Sequence, residues 1–281
     1  MSGNLRLDAA LAQGAARLER VSAEPRRDAE LLLMEALQCT RAFLLTYPEA
    51  VLTSDQAAIY ERWLCRRARQ EPIQYILGRQ DFFGLTFTVT PDVLIPRPET
   101  EHLVEALLKR LPHDRPLRIA DVGTGSGAIA VALAVHLPRA QITALDISRA
   151  ALAVARQNAA AHSVADRIRF VVSDLLDAVG GETYDAVVSN PPYVAETDRE
   201  TLEAQVRDYE PHQALFAGRS GLEIYERLVP QARGRLVPDG WLALEIGYGQ
   251  QNALLRLLSG WKQVAFLPDL QGIPRVACAQ R

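Results

Sequence analysis

Apolar residues recur at helical spacing through the first quarter of the chain. Ala29, Leu32, Leu33, Ala36 and Leu37 form one stripe, and Ala58, Trp63, Leu64 and Ala68 form another. The pattern predicts helices over about residues 5–70. Pro25 suits a first helical turn, and Ser54-Asp55 offers an N-cap for a later helix. The period then changes. Phe83, Leu85, Phe87 and Val89 alternate with small or polar residues, and Phe82-Phe83-Gly84 breaks the run, which reads as a β-hairpin. Prolines 91, 96 and 98 follow as a stiff, extended connection, and a domain boundary is expected there.

Beyond the prolines, short apolar runs alternate with amphipathic ones. Strands are expected over 117–122, 141–145, 168–172, 184–188 and 241–246. Helices are expected over 128–137, 148–161, 222–236 and 250–258. Residues 261–279 read as two strands joined around Gly272 and Pro274. Strands alternating with helices imply an α/β fold, with a parallel sheet covered on both faces. In such sheets ligands bind beyond the carboxyl ends of the strands, and the chemically suggestive residues fall there.

Asp121-Val122-Gly123-Thr124-Gly125-Ser126-Gly127 leaves one strand and opens a helix. Glycines let the chain turn tightly and a ligand approach the backbone. The loop alone is compatible with several nucleotide cofactors or with a bare turn, although its third glycine comes too early for a dinucleotide fingerprint. Asp146 ends the next strand, where an acid can bind both ribose hydroxyls; its alternative role is to cap the helix after it. Asp174, followed by Leu175, ends the third strand, where side chain or backbone could meet an adenine amino group, and there too a cap is the alternative. Asn190-Pro191-Pro192-Tyr193 follows the fourth strand. The prolines fix the backbone and leave the Pro191 carbonyl free of a competing neighbouring N–H. With the Asn190 side-chain oxygen it forms a pair of acceptors able to hold both hydrogens of one NH2 group, beside the Tyr193 ring.

Composition narrows the options. Of 281 residues, 48% are hydrophobic and 23% charged, which suits two packed domains rather than a disordered chain. The net charge of -3 gives no basic surplus for gripping a phosphate backbone, so direct nucleic-acid binding is not expected. Cys39, Cys65 and Cys278 are scattered and odd in number, which reads as reduced thiols and no metal site. The first twenty residues mix charges without an apolar run, so no signal peptide is read, and no stretch is apolar enough to span a bilayer. The expected location is cytoplasmic.

The Asn190–Tyr193 tetrapeptide resembles the signature of class I amino-methyltransferases. Further segments are similar to the bacterial protein-(glutamine-N5) methyltransferases of peptide chain release factors, the HemK/PrmC-type family. They are PIQYILG at 72–78, LIPRPETE at 94–101, YEPHQALFAG at 209–218, EIGYGQ at 245–250 and DLQGIPR at 269–275. Ser220 stands where the family has an acidic or amide residue, and Leu176 where it often has an aromatic. The resemblance implies a class I S-adenosylmethionine methyltransferase fold with a Rossmann-like seven-stranded sheet. It implies an N-terminal helical docking domain at 1–78, a hairpin and proline-rich linker at 79–98, and a methyltransferase domain at 99–281. The implied cofactor, S-adenosylmethionine, would lie on Gly123, Thr124, Gly125, Ser126, Gly127, Asp146, Asp174, Leu175 and Asn190. Asn190, Pro191, Pro192 and Tyr193 would hold the substrate, the glutamine of the Gly-Gly-Gln motif in class 1 release factors.

The chemistry is consistent with these residues. An amide nitrogen is a poor nucleophile, so the task is alignment with an electrophilic methyl group. Positive charge grows on nitrogen as the bond forms, and a preorganised acceptor facing it is worth about 3 kcal/mol. The methylated amide is very acidic, so no prior base is needed, and His212 reads as structural or as part of the substrate rim. Arg62, Arg66, Arg67 and Arg69 share a predicted helix with Trp63 and Leu64, either as a solvated basic face or as a docking surface. Rival readings are a glutamine methyltransferase of a ribosomal protein, an amino-methyltransferase of a nucleic-acid base, and a non-catalytic cofactor-binding partner.

Overall fold

The computed structural model describes residues 5–281; residues 1–4, which fall in the first predicted domain, lie outside it. Five helices come first: α1 (Leu7–Leu18), α2 (Pro25–Leu37), α3 (Arg41–Thr46), α4 (Ser54–Arg67) and α5 (Ile73–Leu77). A hairpin of β1 (Arg79–Phe82) and β2 (Leu85–Thr88) leads to α6 (Pro98–Leu108). Then come β3 (Leu117–Val122), α7 (Ala128–His136), β4 (Ala140–Asp146), α8 (Arg149–Ala161), β5 (Ile168–Val172) and β6 (Tyr184–Ser189). The chain finishes with α9 (Ala204–Tyr209), α10 (His212–Leu215), α11 (Glu223–Arg235), β7 (Leu236–Glu245), α12 (Gln251–Leu257), β8 (Lys262–Pro268) and β9 (Pro274–Gln280). Two compact units result among the described residues: 5–78 with 203–209, and 79–202 with 210–281.

In the helical unit, Leu7, Leu18, Leu32, Leu33 and Leu64 form the core. Pro25 opens α2 at its first turn, as the sequence predicts. The cap of α4 is Thr53 rather than Ser54-Asp55. Thr53 accepts from the Gln56 N–H at 3.2 Å while Gln56 accepts from the Thr53 N–H at 3.0 Å. This reciprocal capping box satisfies two orphan donors at once, which is why the helix starts one residue earlier than expected. The four arginines do not make one basic face. Arg67 is 6% exposed, and its Nε donates to Asp28 at 2.7 Å. Arg66 donates to Glu71 at 2.9 Å, and Arg69 lies beyond the end of α4. Arg62 and Arg69 are the exposed pair.

The sheet of the second unit runs β5-β4-β3-β6-β7-β9-β8. The first five of these are parallel, and β9 runs antiparallel to both neighbours. The alternating strands form the expected parallel part of the sheet, and the two strands joined at Gly272–Pro274 make it mixed at one edge. A tight connection at Gly272–Pro274 can join only antiparallel strands. One face is covered by α6 and α7, the other by α11 and α12. Helix α7 is apolar all round, and seven of its nine residues are buried.

Three features escaped the pattern. Helix α6 hides behind the prolines: Pro98 occupies its first turn with Glu99 and Glu101, a favourable helix start, and Leu103, Val104 and Leu107 are fully buried. Strand β7 begins at Leu236 rather than 241, because its register on β6 shifts between Tyr184 and Ala186, and the polar Pro238-Asp239-Gly240 masks the extension. The hairpin groups with the sheet, since Phe82 and Phe87 lie in its core.

Candidate active site

Strands β4 and β5 continue the chain to one side of β3, and β6 returns on the other side. Such a switch point opens a crevice beyond the carboxyl ends of the two central strands. A cavity of about 720 Å³ lies there, within the range of small-molecule sites. The ends are stitched together by the Ser189 hydroxyl, which donates to the Val122 carbonyl at 2.6 Å.

The glycine loop lines one side through Gly123, Thr124, Gly125 and Ser126. Gly127 is set back. Its φ is +81°, and a Cβ there would stand 3.0 Å from that of Ala155, so only glycine allows α7 to approach α8 this closely. Asp146 also lines the cavity. Its Oδ2 accepts from the Gly125 N–H at 2.9 Å and its Oδ1 from the Ser148 N–H at 2.8 Å. The cap of α8 is Ser148, which accepts from the Ala151 N–H, so Asp146 braces both loop and helix start without replacing that cap. Asp174 and Leu175 line the cavity, and the Asp174 carboxylate accepts from Arg227 at 2.6 Å. Leu175 has φ +50°, an uncommon conformation for a non-glycine residue.

Asn190, Pro191 and Pro192 line the opposite side. The Asn190 Nδ2 donates to Thr100 Oγ1 at 3.1 Å. Tyr193 is not among the lining residues. Its hydroxyl is 3.3 Å from Glu245 Oε1, and burial pushes the phenol above its ordinary pKa. The Tyr193 carbonyl accepts from Gln250, which also donates to the Gly221 carbonyl. The EIGYGQ segment thus clamps the tetrapeptide from behind. His212 lines the cavity rim, bonded to Arg199 and edge-on to Phe216. Ser220 accepts from the Leu222 N–H, and Leu176, 1% exposed, fills apolar core.

Two buried acids sit behind these loops. Asp121 takes a 2.6 Å hydrogen bond from Thr124, and its Oδ1 has no hydrogen-bond partner. Burial pushes its carboxyl up to about 7. Glu245 takes a 2.6 Å hydrogen bond from Thr100, and burial pushes it to about 7 as well. Thr100, Glu245, Gln250 and Arg227 were not singled out from the sequence. All but Arg227 lie inside the segments that carried the resemblance, so the segments were visible while the roles within them were not.

A Rossmann-like sheet with a glycine loop and acids at its strand ends marks a nucleotide- or nucleoside-cofactor site, and the match of residues 99–207 to the family model for the methyltransferase small domain makes the class that of the methyltransferases. Residues 9–78 match the PrmC N-terminal domain. A release factor glutamine methyltransferase of Koribacter versatilis is 48% identical over 92% of this chain and 91% of its own. One from Coxiella burnetii is 44% identical over 94% and 95%. The chain belongs to the release factor glutamine methyltransferase family, whose cofactor is S-adenosylmethionine. Among solved structures, the catalytic domain of hMettl16 superposes with a TM-score of 0.56 at 21% identity, over 77% of this chain and 81% of that one. A methyltransferase from Pyrococcus furiosus gives 0.51 at 18%, over 71% and 90%. Both likenesses concern the fold.

The cavity fits this cofactor. An ionised carboxylate has about four lone-pair sites, and Asp146 spends two on backbone. Asp121 and Asp146 are both desolvated, so each gains from a donor or a positive charge placed nearby. Val122, Ile129 and Leu175 supply apolar wall for a flat ring. Among the described residues, no helix is long and apolar enough to cross a membrane.

Proposed function

We propose that this chain methylates the side-chain amide nitrogen, N5, of the glutamine in the Gly-Gly-Gln motif of class 1 release factors, in the cytoplasm. The carrying observation is that the Asn190 carboxamide and the Pro191–Pro192 backbone edge the same cavity as the glycine loop and Asp146. Asp146 holds the ribose, the Asp174–Leu175 backbone meets the adenine, and the loop lies under the rest of the cofactor. Bound S-adenosylmethionine supplies an electrophilic methyl on a sulfonium and leaves as a neutral thioether.

The protein's own contribution is alignment. The Asn190 side-chain oxygen and the Pro191 carbonyl accept the two hydrogens of the glutamine NH2 and fix its plane. As positive charge develops on nitrogen, both acceptors stabilise it without reorganising. The methylated nitrogen then sheds its proton to solvent. Held in a near-attack arrangement, even a weak nucleophile reacts. Tyr193 supports this edge from the core side. The helical unit captures the release factor, converting remote binding energy into orientation at nitrogen; of the arginines in and beside α4, Arg62 and Arg69 are the exposed ones it can use.

The test is methyl transfer from labelled cofactor to intact release factor, ribosomes or DNA, offered separately. Label is expected in the release factor alone. Asn190→Ala should lower turnover about 100-fold while cofactor affinity changes little. Near-normal turnover in that variant, or label in ribosomes or DNA instead, would refute the assignment.

A further inference from the structure

We infer that Thr100 and Glu245 form a positioning relay that dictates which end of the Asn190 carboxamide faces the substrate. The inference rests on the reading of Asn190 as an acceptor for the glutamine NH2, and it goes further by saying what makes Asn190 an acceptor.

The two ends of a carboxamide have nearly the same shape, so packing alone does not choose between them. Only the oxygen can receive a hydrogen from the substrate. With the carboxamide flipped, its NH2 would face another NH2, donor against donor. Something must hold the nitrogen away from the cavity.

That something is a chain of two hydrogen bonds with a fixed direction, Asn190 to Thr100 and Thr100 to Glu245. Glu245 ends β7, and β7 pairs with β6 through Ser189↔Leu244, so Glu245 and Asn190 stand at matching ends of adjacent strands. Thr100 sits in the first turn of α6. Its Oγ1 is 2.6 Å from Glu245 Oε2 and 3.1 Å from Asn190 Nδ2. Glu245 is 2% exposed and Thr100, at the cavity wall, is 4% exposed, so these two groups find their partners mainly in each other and in Asn190. An ionised carboxylate only accepts, and a hydroxyl has one proton to give. The proton of Thr100 therefore goes to Glu245. Toward Asn190, Thr100 offers only lone pairs, which can be met only by the amide NH2. The oxygen of Asn190 is left for the substrate. The second carboxylate oxygen, Oε1, accepts from the Tyr193 hydroxyl at 3.3 Å, so one acid secures both ends of the tetrapeptide.

The relay has a protonation limit. Glu245 is pushed up to about 7 by burial, with Glu99 raising it further and Thr100, Tyr193 and Arg275 opposing. Tyr225, the other titratable neighbour, donates its hydroxyl to the Glu245 backbone carbonyl at 2.8 Å. A protonated Glu245 can donate to Thr100, which then donates to Asn190 and favours the flipped carboxamide. Turnover should fall as the pH drops through about 7.

The experiment combines three substitutions with the pH profile, using the full chain and intact release factor. Thr100→Val keeps the shape and deletes the hydroxyl. It should lower kcat by about 10- to 100-fold, with cofactor Kd and the KM for release factor within about threefold of the parent. Thr100→Ser keeps the hydroxyl and should restore kcat to within about threefold. Glu245→Gln no longer forces the direction; it should lower the plateau and abolish the acid limb. The decisive step is a double-mutant cycle: in an Asn190→Ala background, Thr100→Val should cost nothing further, because the relay acts only through that carboxamide. Equal losses in the Val and Ser variants, additive losses in the cycle, or parental kcat in Thr100→Val would each overturn the relay. If Asn190→Ala itself turns over normally, the reading of Asn190 fails, and the relay with it. If Asn190→Ala is impaired while Thr100→Val is not, the relay alone fails.

Discussion

Replacing Asp146 by alanine removes a carboxylate that braces the glycine loop and, on the proposed reading, also holds the ribose. Its oxygens each accept one backbone N–H, from Gly125 at 2.9 Å and Ser148 at 2.8 Å. About two lone-pair sites remain for ribose hydroxyls. A hydrogen bond to a charged group contributes about 1.5–3 kcal/mol net. Losing one such contribution raises Kd by about 10- to 150-fold. The full loss of two bonds is not expected, because water enters the truncated site and Asp146 is already partly desolvated, which raises its pKa. The apo-protein should also melt earlier, since the Gly125 and Ser148 N–H groups lose their acceptor. Asp146→Asn should behave almost as badly: its NH2 must confront one of the two N–H donors. Calorimetric titration with cofactor and thermal unfolding of the apo-protein measure the two roles independently. An unchanged Kd beside a lowered melting temperature would make Asp146 a brace for the loop and nothing more.

Other outcomes follow from the same contacts. Asp28→Ala leaves the Arg67 guanidinium buried without its carboxylate, and should destabilise the helical unit by about 3–5 kcal/mol in denaturant titration; an effect below about 1 kcal/mol would mean that Arg67 reaches water. Asp121 and Glu245 both bind protons more tightly folded than unfolded, so their contribution to stability is fully present below about pH 4 and is lost as pH rises through about 7. Melting temperature should accordingly fall between about pH 5 and 8, and Asp121→Asn should flatten that slope; a slope unchanged by the substitution would refute the assignment. A chain beginning at Arg79 keeps Phe82 and Phe87 in the sheet core, so it should bind cofactor yet lose most methylation of intact release factor. Equal activity of the short and full chains would reduce the helical unit to a stability element.

The sheet strands and their helices were legible because they bury whole stripes, and burial imposes a period that survives in a single sequence. Helix α6 was not, since its first turn carries prolines 96 and 98 around it, and prolines read locally as an extended connection. Only the burial of Leu103 and Leu107 beneath it decides the matter. The arginines of α4 show the opposite failure. Charge in a sequence suggests solvent, yet Arg67 finds Asp28, thirty-nine residues away, and becomes interior. Local pattern carries no information about that partner.

The same distinction divides the candidate site. Gly123, Gly125, Gly127 and the Asn190–Pro192 run stand out because they violate the surrounding periodicity: glycines where a helix should begin, prolines where a strand has just ended. Residues that orient rather than touch leave no such mark. Thr100 looks like one more polar residue in a helical first turn, and Glu245 like a strand that happens to end in an acid. Thr100 is ninety residues from Asn190 and 145 from Glu245 along the chain. What unites them is that β6 and β7 are neighbours ending level with each other, with the start of α6 close enough for both bonds. Sheet order is a property of the whole chain. The proposed reacting edge can therefore be read from four consecutive residues, whereas the direction of its hydrogen bonds requires the topology that sets Glu245 beside it.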